Sequence, residues 1–328
     1  MQAAVVPAVS GSWQVKDVPQ PQPGPNQVLV KMHASGICYT DVHETLGHIP
    51  GQFPRILGHE PVGEIVAVAP DVTTRKVGDR VGTAWVQQTC GRCEWCQRGK
   101  RMFCPYQKST GIHLQGGHAE YMPMFADATY LIPDKVSYEQ AAPIFCAGYT
   151  VYSGLRSADP KPHERVAVLG IGGLGHLAVQ YAKAAGFKTI AISHSPDKDK
   201  TIRELGADEV VRDGKGLAAA GGANIILSTS NSTKSMVDSI QGLRPEGCIV
   251  TMGVDAEPLS VSLTDLLVKR MRVIGSSQNG PEYLYEALDF VAQGKVKTMV
   301  ETYPLAEAAK AYQRVVDGKA RFRAVLTM

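Results

Sequence analysis

Four cysteines fall within one fifteen-residue segment, as Cys90-x2-Cys93-x2-Cys96-x7-Cys104. Thiolates so spaced on a loop can surround one tetrahedral zinc at Zn–S distances of ~2.3 Å, and four protein ligands close the shell, which makes the site structural. Gly91 and Pro105 suit the tight turns such a loop needs. An iron–sulfur cluster or a pair of disulfides would use the same residues, but without a secretory signal the crowding favours metal. A second set is scattered: Cys38 in GICYTDVH, His59 in LGHEPVG and Cys146 in PIFCAGYT. Alone, each reads as a small core thiol or a hydrogen-bonded imidazole. Together, two thiolates and one imidazole make a three-ligand zinc set that keeps a fourth position for water or substrate.

A third constellation is Gly170-Ile171-Gly172-Gly173-Leu174-Gly175. It follows an apolar strand and opens a helical stretch, the context in which GxGxxG binds a dinucleotide. Gly170 and Gly172 permit the tight turn and the approach of backbone to a pyrophosphate. Gly175 lets helix and strand pack, and the helix N-terminus faces the anion.

The elements that position these residues change along the chain. Up to about residue 145 the runs VLVKMHASGIC (28–38), GEIVAVA (63–69) and GDRV (78–81) read as short strands between Pro and Gly turns, without long helices. From Arg165 strand and helix alternate: RVAVLG, GHLAVQYAKAAG, KTIAIS, a helix ending ELGAD, EVVR, NIILSTS, a helix near 232–241, GCIVTMG, a helix near 263–269 and RVIGSS. About six strands so separated predict a parallel, doubly wound α/β sheet. Helices near 281–293 and 305–318 and a strand RAVLTM close the chain.

Composition bounds the rest. The 328 residues are 44% hydrophobic and 20% charged, suiting two globular domains. A net charge of +3, from 34 basic and 31 acidic residues, offers no basic tract for nucleic acid or a membrane surface. No apolar run approaches ~18 residues, and the start lacks a basic n-region, so a cytoplasmic address is expected. Cys248, in GCIVTMG, reads as a core residue.

GICYTDVH, GHEPVGEIV, VGDRVG, the four-cysteine lobe, CAGYTVY and VLGIGGLGHLAVQYAKAAG, in that order, resemble the zinc-dependent medium-chain alcohol dehydrogenases over nearly the whole chain. In that family a Cys2His set carries the catalytic zinc. The resemblance implies a GroES-like β-rich catalytic domain (1–147), a Rossmann cofactor domain (148–277) and a C-terminal return to the catalytic domain (278–328). It also implies a homodimer or homotetramer and two zincs per chain.

By the same resemblance Cys38, His59 and Cys146 match the catalytic ligands, and Cys90, Cys93, Cys96 and Cys104 the structural ones. Glu60 matches an acid near the metal and Asp41 the carboxylate that orients the ligand histidine. Thr40 matches the hydroxyl on the substrate oxygen, His43 the outer base of a proton relay through the cofactor ribose, Thr150 a neighbour of the nicotinamide, and Arg323 (with Arg321 as rival) a partner of the pyrophosphate. Trp85 falls where the family lines its substrate channel, and an indole there would narrow it.

The expected reaction is reversible hydride transfer between an alcohol or aldehyde and NAD(P)(H), with the metal as Lewis acid. A cinnamyl-alcohol-type aldehyde reductase shares every motif. A polyol dehydrogenase typically lacks a ligand or the lobe, and an inactive binding relative would have no reason to keep Cys38, Thr40, His43, His59 and Cys146. For the cofactor, KTIAIS ends in Ser193, followed by His194, Ser195, Pro196, Asp197 and Lys198. The acid that holds the ribose hydroxyls of NAD is absent from the strand end, while two serines and a lysine can meet a 2′-phosphate, so NADP(H) is favoured. In the alternative, Ser193 caps the next helix and Asp197 reaches the ribose of NAD(H).

Overall fold

Strand Gln27–Ile37 is buried along most of its length because strands cover it on both edges. Glu60–Val68 pairs with it antiparallel on one side, Arg323–Thr327 on the other, and Tyr121–Phe125 alongside its first half. Val28, Val30 and Met32 pack with Ile65, Val81, Met122 and Met124 in one apolar cluster. The register puts Gly36 opposite Glu60 and Ile37 opposite Ala324. Three distant segments therefore meet at the end of the central strand, one residue before Cys38.

The computed structural model describes all 328 residues and falls into two units, 1–146 with 298–328, and 147–297. The second is a six-stranded parallel sheet in the order Glu209–Val211, Lys188–Ile192, Arg165–Leu169, Ala223–Ser228, Leu243–Thr251, Arg272–Gly275. Chain order reverses between Arg165–Leu169 and Ala223–Ser228, the switch point where such sheets bind ligands. Strands covered on both faces read as unbroken apolar runs, as RVAVL and KTIAI do.

Three differences from the sequence reading have physical causes. The chain returns to the first unit at Thr298, not at 278, because helix Pro281–Ala292 stays with the second. Phe290 packs on Tyr152 and Tyr181, and the Tyr181 hydroxyl donates to Ala287 O at 3.1 Å. Helix Ala147–Ser157 is absent from the sequence reading because its two glycines and its β-branched residues weaken the local helix signal. Strand Val300–Pro304 is absent from the sequence reading because its half-buried, glutamate-bearing run lacks a clear apolar–polar alternation. No helix is long and apolar enough to cross a membrane.

Candidate active site

Helix Tyr39–Thr45 starts immediately after the central strand, with Cys38 as its N-cap. Asp41, at the third helical position, reaches back to the Cys38 N–H at 2.7 Å, the carboxylate half of a capping box. Its other oxygen accepts from Gly58 N at 3.1 Å. One buried carboxylate thus ties down the backbone at Cys38 and beside His59. The sequence reading had Asp41 orient the histidine ring; instead it holds the backbone, and His59 Nδ1 has no hydrogen-bond partner. Asp41 is backed by His118, unnoticed in the sequence, whose Nε2 lies 3.6 Å from Asp41 Oδ1 in a fully buried contact. Trp13 stacks on Tyr312 and covers His118 at 5.1 Å.

The ligand atoms converge. Cys38 Sγ lies 4.0 Å from Cys146 Sγ, and His59 Nε2 lies 3.3 Å from Cys146 Sγ. A tetrahedral zinc with Zn–S of ~2.3 Å and Zn–N of ~2.0 Å needs ligand separations of roughly 3.5–3.8 Å, so the three atoms fit one ion. The Cys146 hydrogen bond pulls the Cys38 thiol well below its ordinary value, against the effect of burial. Burial works against charge on His59, yet the Cys38 thiolate lifts it to about 10. Cys146 moves the other way, held well above its ordinary value by its hydrogen bond to Cys38 and by burial, so a divalent cation bound here would have to displace protons from Cys146 and His59.

Glu60 joins this cluster, its carboxylate within 4.8 Å of the other ligand atoms. One oxygen pairs with the Arg323 guanidinium, and both side chains are sealed from solvent. Burial raises the Glu60 carboxyl and the Arg323 charge opposes it. Residue 36 must be glycine, because a Cβ there would stand 1.9 Å from Glu60 Oε2. Arg323, read from the sequence as a pyrophosphate partner, is committed here to Glu60, because its strand lies beside Ile37 in the register.

Thr40 Oγ1 lies 3.6 Å from Cys38 Sγ. His43 stands one turn further along the same helix, half-buried, with Nδ1 3.2 Å from His48 Nδ1. Trp85 meets the His59 ring edge-on, at 5.2 Å and 78°. Beneath the helix, Glu44 is buried with neither carboxylate oxygen hydrogen-bonded. Burial, then the charge of Asp41, pushes it up to about 8 from 4.5. The folded form therefore holds this proton more tightly than the unfolded chain does. The associated stability is fully present below about 4.5 and lost as pH climbs to about 8. Glu44→Gln should remove that part of the alkaline decline, seen as a smaller drop in the thermal midpoint between pH 6 and pH 9.

The four-cysteine lobe is also preformed. Its sulfurs stand 3.5 Å (Cys93–Cys96), 3.7 Å (Cys90–Cys104) and 4.0 Å (Cys90–Cys96) apart, close to the ~3.8 Å edge of a ZnS4 tetrahedron. Backbone N–H groups of Arg92 and Cys93 draw the Cys90 thiol down to about 6.

In the second unit Gly170 has φ +85°, and a Cβ at Gly175 would strike Gly170 O at 2.0 Å. A Cβ at Gly172 would meet nothing within 4 Å, so open space lies over the backbone at the start of helix Gly175–Ala184, preceded by Gly173 and Leu174. That cradle fits a pyrophosphate. Ser193 ends strand Lys188–Ile192, nearly buried, and its Oγ accepts from Ser195 N at 3.3 Å. His194 is exposed, Lys198 half-buried, and Thr150 half-buried on helix Ala147–Ser157.

Residues 24–134 match the alcohol dehydrogenase GroES-like domain and residues 173–293 the zinc-binding dehydrogenase domain. An alcohol dehydrogenase of Geobacillus stearothermophilus is 40% identical over 334 residues, covering 99% of each chain. Among solved structures, an NAD-dependent alcohol dehydrogenase superposes with a TM-score of 0.93 at 27% identity over 100% of both chains. The Helicobacter pylori cinnamyl alcohol dehydrogenase, in complex with NADP(H), gives 0.91 at 26% identity over 100% of this chain and 97% of its own. With both domains present in order and a relative this similar along its full length, the chain belongs to the zinc-type medium-chain alcohol dehydrogenase family.

Proposed function

We propose that this alcohol dehydrogenase interconverts alcohols and aldehydes with one zinc held by Cys38, His59 and Cys146, a second held by the four-cysteine lobe, and NADP(H) preferred to NAD(H). The observation that carries the reading is the convergence of two sulfurs and one imidazole nitrogen, three ligands that would leave a fourth position for substrate while Glu60 stays paired with Arg323. Zinc bound there supplies Lewis acidity toward the substrate oxygen. Thr40, beside Cys38, hydrogen-bonds that oxygen. His43, half-buried one turn along the same helix, would take up the released proton and hand it to solvent. Trp85, packed on a ligand ring, walls the channel and favours slender substrates. The cradle of Gly170, Gly172, Gly173, Leu174 and Gly175 would hold the pyrophosphate of a dinucleotide, and Thr150 would contact its nicotinamide.

The cofactor preference is supported by the strand end. Ser193 Oγ accepts from Ser195 N, which leaves its hydroxyl proton free to donate to a 2′-phosphate. An aspartate at 193 would repel that phosphate. Wild type should turn over NADP(H) with higher kcat/KM than NAD(H). Ser193→Asp should lower the NADP(H) value at least ~10-fold, about 1.4 kcal/mol, and spare NAD(H). A wild type that already favours NAD(H) overturns the preference. The same rates, run across primary and aromatic alcohols and their aldehydes, separate this reading from a cinnamyl-type aldehyde reductase.

We also propose that a second copy covers the free edge of the parallel sheet. Strand Arg272–Gly275 has no neighbour on that side, and Val254, Leu263, Leu267, Val268 and Val273 lie exposed on or near it.

A further inference from the structure

Strand Glu209–Val211 runs parallel to Lys188–Ile192 with Val211 opposite Ile192, so the residue after each strand lies at the same edge. Arg212 therefore stands beside Ser193. Its Nη1 donates to Ser193 O at 3.0 Å and to Asp199 Oδ1 at 2.8 Å, and its Nη2 to Asp199 Oδ2. The guanidinium side chain is 43% exposed and the carboxylate 30%, so the pair faces solvent at the strand end.

We propose that Arg212 is the charged contact for a phosphate monoester on the adenosine ribose, and that Asp199 attenuates it. Ser193 and Ser195 supply hydrogen bonds to such a group but no charge, while the phosphate carries close to two negative charges. Arg212 is pinned against the backbone of Ser193, and its fork, with N–H groups to spare beyond the three bonds named, suits a phosphate better than the flexible Lys198. Of the acids nearby, Asp197 is exposed, and Asp213 is engaged in capping helix Gly214–Ala219 through Gly216 N at 2.7 Å. Asp199 alone competes for the guanidinium. An exposed ion pair contributes little to stability, so a stapling role leaves the placement against Ser193 unexplained.

This inference deepens the NADP(H) reading and rests on it for its biological setting, but its test does not need wild type to prefer NADP(H). Adenosine 2′,5′-bisphosphate and AMP, titrated calorimetrically into the intact zinc-loaded protein, differ only in the 2′-phosphate. Arg212→Gln should weaken the bisphosphate at least ~10-fold and leave AMP within about twofold; Asp199→Asn should tighten the bisphosphate at least ~3-fold. A purely structural pair would shift the thermal midpoint and not the ratio of the two affinities. If Arg212→Gln is folded and that ratio stays within about twofold of wild type, the assignment is overturned. Should Arg212→Gln not fold, Asp199→Asn decides: tighter bisphosphate binding supports the assignment and unchanged binding overturns it. A wild type that favours AMP while Arg212→Gln still loses bisphosphate affinity would refute the NADP(H) preference and keep Arg212.

Discussion

Cys146→Ser should give a folded protein with about one zinc per chain in place of two and kcat/KM lower by ~10³-fold or more. The loss follows from removing one of three ligands: a hydroxyl does not replace a thiolate, and the Lewis acid is worth several kcal/mol to the transition state. Stability should change little, because Cys146 leads into a helix whose other buried residues keep their packing. Cys93→Ser should do the opposite. Cys93 is the N-cap of the short helix Glu94–Gln97, and its sulfur stands 3.5 Å from that of Cys96. A closed site contributes folding energy directly, so this variant should lose the other zinc and unfold at a lower temperature. Metal analysis with thermal unfolding separates the two roles. Wild-type protein with less than one zinc per chain, or a fully active Cys146→Ser, would sink the two-site assignment.

What could be read from the sequence was what depends on local spacing. The lobe is a loop whose ligands are three to eight residues apart, and the glycine cradle is one strand–turn–helix, so types and intervals were enough. Asp41 was found but misplaced, because its three-residue reach back to the Cys38 N–H is a capping geometry that side-chain identity does not reveal. His118 and the true place of Arg323 were out of reach. His118 meets Asp41 only once the GGHAEY turn packs beneath the ligand loop, and Arg323 meets Glu60 across 263 positions only after three strands take their register. The domain boundary failed for a similar reason: nothing in helix Pro281–Ala292 says that Phe290 will pack on Tyr152 and Tyr181.

The Arg323–Glu60 pair offers the sharpest test of that register. Both side chains are buried, Glu60 against the bare backbone of Gly36 with one oxygen unpartnered, so removing the guanidinium strands a carboxylate beside the ligand cluster. Breaking a buried pair from one side costs about 3–5 kcal/mol, whereas replacing both partners with groups of similar shape can be nearly neutral. Arg323→Met should therefore lower the unfolding free energy of the cofactor-free, zinc-loaded protein by that amount, and adding Glu60→Gln should recover most of it. The recovery is the informative arm, since a cavity left by the arginine stem would not be relieved by changing the acid. Activity is a poor readout, because both residues adjoin the metal ligands. If instead Arg323→Met leaves cofactor-free stability intact and weakens dinucleotide binding, the guanidinium belongs to the pyrophosphate after all, and the sequence reading of this residue stands.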